Sequence, residues 1–374
     1  PAAEQMAALA GLLAGAKRPL AILGGGGWNT EAAAQVQAFA ESWGLPVAAS
    51  FRRQDYFDNE HLCYAGDIGI GINPALAQRV KEADLLLVLG ARLGEMSTAG
   101  YTLLDIPRPR QKLIHVHADA GELGRVYQAD LPIVAGPRAF AAALKELPGI
   151  GGPAWESWTR DARKDYEAWQ RPLRSPGALQ MVEVVTWLRK ALPGDAIVTN
   201  GAGNFAIWLH RYFRYRRYGT QLAPTSGSTG YAVPAAIAAK LLHPDRAVVA
   251  LAGDGCFLMT GQEFATAVQY NAPVIFIAVN NGMYGTIRMH QERNYPGRVH
   301  ATALANPSFA AYARAFGGFG AVVERTEEFE PAFKAAQASG LPSILELRPD
   351  PEAITPRETL SQIRAAALAK AAGR

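Results

Sequence analysis

The stretch LAGDGCFLMTGQEFATAVQYNAPVIFIAVNN, residues 251–281, decides the fold of the second half of the chain. An apolar strand leads into Asp254 between two glycines, and a second apolar strand ends at Asn280 and Asn281. Continuous apolar strands with a helix between them indicate a parallel sheet that is covered on both faces. Ligands of such sheets bind beyond the carboxyl ends of the strands, so we expect Asp254 and Asn281 on the ligand side.

The residue types at these two strand ends indicate a metal-bridged diphosphate. A carboxylate from Asp254 and an amide oxygen from Asn281 suit a hard cation such as Mg²⁺ or Ca²⁺, and Mg²⁺ commonly also takes phosphate oxygens. Gly253 and Gly255 allow a close approach of the backbone to a phosphate. The helix predicted over 261–271 adds an N-terminus that favours anions. A helix cap or a turn would explain each polar residue alone, but their joint placement favours a ligand site.

The rest of the chain repeats the alternation of strands and helices. In the first half the pattern predicts strands over 19–24, 45–50, 84–90 and 112–119 and helices over 31–44 and 74–83. In the second half it predicts strands over 195–201, 246–255, 272–281, 317–324 and 341–349 and helices over 178–192, 231–242 and 261–271. We therefore predict an α/β fold with two doubly wound parallel-sheet domains. Residues 1–147 and 178–374 form the domains, and 148–177 form a linker that carries one helix.

Composition narrows the class of protein. The 374 residues suffice for two or three domains, and the two cysteines are too few for a disulfide framework, so we expect a cytoplasmic protein. No apolar run approaches twenty residues, so we expect no membrane span. The net charge of +4 is modest, and its one basic-aromatic cluster, 210–219, is interpreted as a helix end at a subunit or domain surface rather than a nucleic-acid site. The start at Pro1 without Met predicts a processed or excised piece.

Three further stretches accompany the GDG and NN motifs: TNGAGNFAIW (199–208), TSGSTGYAVPAAIAA (225–239) and NNGMYGTIR (280–288). Together these motifs resemble the thiamine-diphosphate-dependent enzymes, most closely the acetolactate synthase-like branch, and the resemblance covers essentially the whole chain. It implies thiamine diphosphate and Mg²⁺ as cofactors. The implied metal ligands are the side chains of Asp254 and Asn281 and the backbone carbonyl of Met283.

The resemblance also implies which residues contact the cofactor. They are Ala202, Gly203 and Asn204 at the diphosphate, with Gly253, Gly255 and Cys256 nearby; Gly227, Ser228 and Thr229 at the aminopyrimidine; and Tyr284 and Gly285 in the metal loop. Cys256 is then a small residue beside phosphate, since no His or Lys in this stretch makes it a reactive thiolate. Relatives carry a bulky apolar residue at the position of Thr229, where it wedges the cofactor into a bent shape. Either Thr229 weakens the site, or Tyr231 or Val233 has this role.

The stretch GGGGW, residues 24–28, follows a strand and precedes a helix. It lacks the full dinucleotide-binding pattern and a well-placed acid downstream. The resemblance assigns 1–147 to the central domain, which binds FAD or a nucleotide in some relatives. The segment 90–104 does not resemble their flavin-contacting segment, so we expect no FAD, and a glycine-rich turn also occurs for packing alone.

The function implied by the resemblance is that of a 2-oxo acid carboligase or decarboxylase. In relatives an N-terminal domain holds the pyrimidine ring and supplies the activating glutamate, and no Glu here matches it. Glu263 and Glu292 are interpreted as structural, and the catalytic residue stays unassigned. The alternatives are a C–C lyase of the benzaldehyde lyase type and a non-catalytic cofactor-binding subunit of a split enzyme. We expect a homodimer or homotetramer, or a partner that supplies the missing domain, and the arm 351–364 either closes over the site or is a plain surface helix.

Overall fold

The computed structural model describes residues 1–149 and 151–372, which form two compact units. The first unit comprises 1–171 and 214–221, and the second comprises 172–213 and the chain from 222 onward. Ile150 of the predicted linker and the last two residues of the predicted C-terminal domain lie outside the described residues. None of the helices within the described ranges is long and apolar enough to cross a membrane.

The first unit is built on a six-stranded parallel sheet with the order β3-β2-β1-β4-β5-β6. Its strands are β1 Pro19–Leu23, β2 Val47–Ala49, β3 Tyr64–Asp67, β4 Leu85–Leu89, β5 Lys112–His117 and β6 Leu131–Val134. Its helices are α1 Ala3–Ala14, α2 Thr30–Trp43, α3 Pro74–Glu82, α4 Pro137–Leu144 and α5 Glu156–Trp169. The strand order is that of a doubly wound fold, which confirms the predicted fold class for this half.

Local sequence explains how the elements of the first unit begin and end. Every residue of β1 and of β4 is buried, as expected for central strands with helices on both faces. Asn29 caps α2, since its side chain accepts a hydrogen bond from the N–H of Ala32 at 2.8 Å. The helix ends at Gly44, whose φ of 58° is a left-handed conformation that favours glycine.

Helix α5, which the sequence places in the linker, packs within the first unit. The Thr159 hydroxyl donates to the carbonyl of Gly44 at 2.7 Å, and the Trp158 indole N–H donates to the carbonyl of Pro19 at 3.0 Å. These bonds attach the helix to the ends of α2 and β1. The predicted helix is therefore present, and the domain boundaries drawn from composition stay predictions.

Residues 214–221 also belong to the first unit, although they come from the second half of the sequence. Asn59 and Tyr215 exchange two hydrogen bonds of 2.8 and 2.9 Å. Asp55 Oδ2 accepts hydrogen bonds from the three backbone N–H groups of 219–221 at 2.9–3.2 Å. The buried carboxylate of Asp55 thus holds part of the basic cluster 210–219 against this unit.

The second unit contains another six-stranded sheet, with the order β11-β12-β10-β9-β7-β8. Its strands are β7 Ile197–Asn200, β8 Gln221–Leu222, β9 Val248–Gly253, β10 Ile275–Val279, β11 Phe319–Val323 and β12 Ser343–Leu347. Its helices are α6 Met181–Ala191, α7 Phe205–Tyr212, α8 Ala232–Leu242, α9 Asp254–Leu258, α10 Phe264–Gln269, α11 Gly285–Asn294, α12 Phe309–Ala315, α13 Thr326–Ser339 and α14 Leu360–Ala372. The two sheets confirm the predicted α/β fold with two domains.

The register of the second sheet positions the polar residues at its edge. Strands β9 and β10 are neighbours, are parallel and are buried along their whole length. Gly253 at the end of β9 lies opposite Val279 at the end of β10. Asp254 and the Asn280–Asn281 pair therefore leave the sheet side by side, as the sequence predicts.

We predict that Asp55 gives the first unit a pH-dependent stability. Burial raises the pKa of Asp55 to about 6, against the opposing effect of the backbone hydrogen bonds. Folded Asp55 binds its proton more tightly than unfolded Asp55, so the unfolding free energy falls as the pH rises from about 4 to about 6. Relative to that of Asp55→Asn, the unfolding free energy of the wild type should fall by about 3 kcal/mol over this pH range, at roughly 1.4 kcal/mol per pKa unit.

Urea unfolding followed by tryptophan fluorescence measures this difference, because five of the seven tryptophans lie in the first unit. The pKa of Asp67 is raised as well, and its contribution is present in both proteins and cancels from the difference. A difference between wild type and Asp55→Asn that stays constant from pH 4 to pH 7 would contradict the prediction.

Candidate cofactor and metal site

A cavity of about 420 Å³ lies in the second unit at the carboxyl ends of β7, β9 and β10. Its volume is in the range of sites that hold a small organic ligand. Twelve of the fourteen predicted cofactor-contacting residues line it: Ala202, Gly203, Asn204, Thr229, Gly253, Asp254, Gly255, Cys256, Asn281, Met283, Tyr284 and Gly285. The fold therefore brings together residues from four separate motifs, and their individual roles stay predictions.

The other two predicted residues, Gly227 and Ser228, lie outside the cavity lining. They belong to a turn in which the N–H of Gly227 donates to the carbonyl of Pro224 at 3.0 Å. Thr229 lines the cavity, whereas Val233 is a buried core residue of α8, and Tyr231 is not among the lining residues. Of the three positions considered for the wedge, Thr229 is the one at the cavity, and the wedge role itself stays a prediction.

The helix at the end of β9 begins earlier than the sequence predicts. Helix α9 starts at Asp254 itself, because the extended Gly253 (φ −71°, ψ 161°) turns the strand directly into a helix. The predicted helix 261–271 is instead a short 3-10 helix over 261–263 followed by α10. Asp254 thus occupies the first turn of a helix, where a negative charge is favourable.

Asp254 is buried, and three hydrogen bonds fix its carboxylate. Oδ1 accepts the N–H of Gly255 at 2.9 Å, and Oδ2 accepts the N–H of Gly282 at 2.9 Å and the amide of Asn306 at 2.8 Å. Burial raises the pKa of Asp254, and these hydrogen bonds oppose the rise. A carboxylate has about four acceptor positions, two on each oxygen. Oδ1 accepts one hydrogen bond here, so it keeps a position at which a cation can bind.

The loop that follows β10 is held by an antiparallel bridge between Met283 and Ala303. The N–H of Tyr284 donates to the carbonyl of Thr302, and the N–H of Leu304 donates to the carbonyl of Gly282, both at 2.9 Å. Neighbouring backbone groups of an extended segment point to opposite sides. Met283 lies between the two residues that bond to 302–304, so its carbonyl is not one of the acceptors of the bridge.

The donor set fits Mg²⁺. One carboxylate, one side-chain amide and one backbone carbonyl are the hard oxygen ligands that this cation prefers, with remaining positions left to water or phosphate. Within the described parts of the chain, no group of three or more His, Cys, Asp or Glu side chains could hold a metal ion. A site here would therefore depend on Asp254, Asn281 and Met283.

The glycines of the GDG motif have a packing reason as well. A Cβ on Gly255 would lie 2.6 Å from the ring of Tyr284, and a Cβ on Gly253 would lie 2.9 Å from the ring of Phe205. Both rings line the cavity. The absence of side chains at 253 and 255 thus lets two aromatic rings form the cavity wall, in addition to the close backbone approach predicted from the sequence.

Cys256 is buried beneath the cavity rather than presented to solvent. Its Sγ accepts the N–H of Gly230 at 3.1 Å, which links α9 to the turn before α8. Its surroundings are those of a small packed residue, as predicted, and the contact with phosphate stays a prediction.

Asn204 forms hydrogen bonds with two residues of α11, Thr286 and Met289. The N–H of Asn204 donates to the Thr286 hydroxyl at 3.0 Å, and that hydroxyl donates to Asn204 Oδ1 at 2.9 Å. The side-chain amide also lies 3.2 Å from the sulfur of Met289. These contacts join the starts of α7 and α11 on either side of the cavity.

Sequence reasoning missed most of the apolar wall and two polar residues, Thr286 and Asn306. The missed lining residues are Met181, Phe205, Trp208, Met259, Val279, Thr286, Ile287, Pro349, Ala353 and Ile354. Four of them, Phe205, Trp208, Thr286 and Ile287, lie within the quoted motifs but were assigned no role, and Met259 and Val279 lie in the stretch 251–281. The remaining four come from distant parts of the chain and follow no motif, so only their location in the fold identifies them. Three of them lie in or just before the arm 351–364, which favours the interpretation that the arm closes part of the site.

The arm is anchored by the buried Glu292 of α11. Arg364 of α14 donates two hydrogen bonds of 2.7 and 2.6 Å to the two oxygens of Glu292. Arg288 lies 2.7 Å from the same carboxylate, and the N–H of Gly297 donates to it at 3.0 Å. Hydrogen bonds from Arg364, the largest cause, lower the pKa of Glu292 to about 2. Glu292 therefore has the structural role that the sequence predicts.

In the first unit, close packing accounts for the first two glycines of GGGGW. A Cβ on Gly24 would lie 2.9 Å from the side chain of Ala91, and Gly25 adopts a φ of 72°. The carbonyls of Gly24 and Gly25 accept hydrogen bonds from Trp28 and Tyr56 at 2.8 and 2.7 Å. Packing thus explains the conformation of this turn. The expectation that the chain binds no FAD stays a prediction.

Fold and cavity define a doubly wound α/β protein with a ligand site at the carboxyl ends of its second sheet. Comparison with known protein families identifies one family within this fold class. Residues 201–347 match the thiamine pyrophosphate enzyme, C-terminal TPP binding domain, and residues 6–144 match the thiamine pyrophosphate enzyme, central domain. The chain belongs to the thiamine pyrophosphate enzyme family.

Individual relatives agree with this assignment. An acetolactate synthase of Mycobacterium avium is 32% identical over 351 residues, which cover 90% of this chain and 56% of that protein. A sulfoacetaldehyde acetyltransferase of Castellaniella defragrans is 33% identical over 361 residues, which cover 89% of this chain and 60% of that protein. An acetolactate synthase large subunit of Corynebacterium glutamicum is 31% identical over 366 residues, with 92% and 57% covered. The chain thus spans a little over half the length of these curated relatives.

We predict that Glu292→Gln releases the arm. Removing the charge leaves Arg288 and Arg364 without their common partner, which should cost about 3 kcal/mol of stability. Hydrogen exchange over 353–372 should accelerate, because Arg364 holds α14 through this carboxylate. The matched control is Glu330→Gln, since Glu330 makes an exposed pair with Lys334 whose loss should cost much less stability. Unchanged exchange in α14 would show that the ion pair does not anchor the arm.

Proposed function

We propose that this chain binds thiamine diphosphate through Mg²⁺ and forms the central and diphosphate-binding parts of an acetolactate synthase-like enzyme that acts on a 2-oxo acid. The observation that carries the proposal is the single cavity lined by twelve of the predicted cofactor-contacting residues. Asp254 and Asn281 reach it from neighbouring strand ends. The match to a TPP-binding domain supports the cofactor.

In this proposal three residues hold the cation. Asp254 offers Oδ1, Asn281 offers its side-chain oxygen, and Met283 offers its backbone carbonyl. Gly253 and Gly255 line the same cavity on either side of Asp254, and glycine allows a close approach of the backbone to a diphosphate. The positive charge of the cation gives a reason for a diphosphate to bind here rather than a neutral ligand.

When bound, thiamine diphosphate supplies the carbon nucleophile and accepts the electron pair that a 2-oxo acid releases with CO₂. The chain contributes position and exclusion of water. Phe205, Trp208 and Ile354 give the cavity an apolar wall, and the arm covers part of it. The residue that activates the cofactor is not assigned among the residues of this chain.

We further propose a small-molecule 2-oxo acid as substrate and an assembly of several subunits, either copies of this chain or a partner chain. The relative from Corynebacterium glutamicum is named a large subunit, which supports the second possibility. A C–C lyase of the benzaldehyde lyase type and a non-catalytic cofactor-binding subunit remain the alternatives from the sequence. Activity assays therefore need the full native polypeptide with its partners.

We predict that Asp254→Ala abolishes Mg²⁺-dependent binding of thiamine diphosphate, because the site loses its one carboxylate. Isothermal titration with the cofactor, in Mg²⁺ and in EDTA, measures this loss. Asp245→Ala is the matched control, since Asp245 is exposed and lies before β9, away from the cavity. Circular dichroism establishes that both variants are folded. Retained Mg²⁺-dependent binding in Asp254→Ala would refute the metal assignment.

A second reaction has specific support, because the sulfoacetaldehyde acetyltransferase is as similar to this chain as the acetolactate synthases are. Product analysis separates the two. For the proposed carboligase, two molecules of pyruvate should give one acetolactate and one CO₂. Release of sulfite from sulfoacetaldehyde, with its remaining two carbons transferred as an acetyl group to an added nucleophile such as phosphate and without acetolactate formation, would favour the second reaction. CO₂ with aldehyde alone would favour a simple decarboxylase. No turnover of any of these, with cofactor bound, would favour the non-catalytic subunit.

A further inference from the structure

Asn306 lies beside Asp254, although 52 residues separate them in the chain. Its Nδ2 donates to Asp254 Oδ2 and to Asn280 Oδ1, both at 2.8 Å. An amide nitrogen carries two hydrogens, so both are used. Because both neighbours are acceptors, the hydrogen-bond network fixes which way the amide faces.

Asn280 is held from its other side by the buried carboxylate of Glu346. Its Nδ2 donates at 3.0 Å to Oε1 of Glu346, a β12 residue with no exposed surface. Arg348 donates to the same oxygen at 2.8 Å, and the N–H of Ala310 donates to Oε2 at 3.2 Å. A continuous series of hydrogen bonds therefore runs from Asp254 through two asparagines to a fixed carboxylate.

The backbone around Asn306 is also held on both sides. Before it, residues 302–304 pair with the loop 282–284 through the bridge of Met283 and Ala303. After it, Ser308 caps α12 by accepting the N–H of Ala311 at 3.2 Å. The short segment between these two anchors sets the position of the Asn306 side chain against Asp254.

We propose that Asn306 is a positioning residue for the divalent cation: its side-chain amide orients the carboxylate of Asp254 so that Oδ1 faces the metal. The inference rests on the proposed function, since it concerns the same cation. A terminal carboxylate torsion is broad and roughly two-fold. The backbone N–H groups of Gly255 and Gly282 also donate to this carboxylate, and Asn306 is the side-chain donor, which a substitution can remove.

The choice of cation distinguishes positioning from a purely structural link. Mg²⁺ demands near-ideal octahedral geometry, whereas Ca²⁺ accepts a flexible arrangement of oxygen ligands. Loss of the Asn306 amide should therefore weaken Mg²⁺-supported binding of the cofactor more than Ca²⁺-supported binding. A role limited to joining two loops would weaken both to the same extent.

The experiment measures the Kd of thiamine diphosphate by isothermal titration, with saturating Mg²⁺ and with saturating Ca²⁺, for the wild type, Asn306→Ala and the exposed control Asn294→Ala. For Asn306→Ala we expect Kd to rise about 10- to 100-fold with Mg²⁺, the usual effect of losing a residue behind a ligand. With Ca²⁺ the rise should stay within about threefold, given its tolerant geometry. Asn294→Ala should match the wild type with both cations.

Equal losses with the two cations, or no loss with Mg²⁺, would overturn the positioning role while leaving the proposed function intact. A wild type that binds thiamine diphosphate with neither cation would overturn the proposed function and this inference with it. Thermal unfolding in EDTA checks the fold of each variant. If Asn306→Ala does not fold, Asn306→Ser replaces it, because serine keeps a short hydrogen-bond donor. Asn306→Ser should also raise Kd more with Mg²⁺ than with Ca²⁺, by a smaller factor than Asn306→Ala.

Discussion

The parallel pairing of β9 with β10 is the constraint on which the site depends. Gly253 lies opposite Val279, so two buried strands end at the same level and deliver Asp254 and the Asn280–Asn281 pair to one edge. A slip of one residue would turn Asp254 into the sheet and break this arrangement. Burial of both strands along their full length makes such a slip costly, because every side chain would change face.

Burying the carboxylate of Asp254 creates a second requirement, since a desolvated charge needs partners. The fold supplies two of them from the backbone, through the N–H groups of Gly255 and Gly282, and one from Asn306. The hydrogen bonds hold the group in a defined orientation while leaving one oxygen able to accept a cation. Glu292 shows the contrasting solution: two arginines and a backbone N–H satisfy that carboxylate fully, and it serves as an anchor.

The fold class could be predicted from the sequence because apolar runs between helices leave few arrangements for buried strands. The position of the cavity at the strand ends could be predicted as well, because strand ends and glycines are visible in GDG and NN. Features that depend on distant pairing could not be predicted in this way. Asn306 follows no motif, and its contact with Asp254 is visible only once residues 302–304 pair with the loop 282–284. The start of α9 at Asp254 was also missed, since local pattern placed the helix after the glycines.

The same glycines illustrate why a motif can have two physical causes at once. Gly255 faces the ring of Tyr284, and Gly253 faces the ring of Phe205, so a methyl group at either position would collide with a wall of the cavity. Packing alone would therefore explain both glycines, and so would a close approach of phosphate. Asp254 lies between the two glycines and distinguishes packing from the approach of a phosphate, because packing gives no reason to bury a carboxylate at this point. The buried charge with an open oxygen, rather than the glycines, is the feature that indicates a ligand.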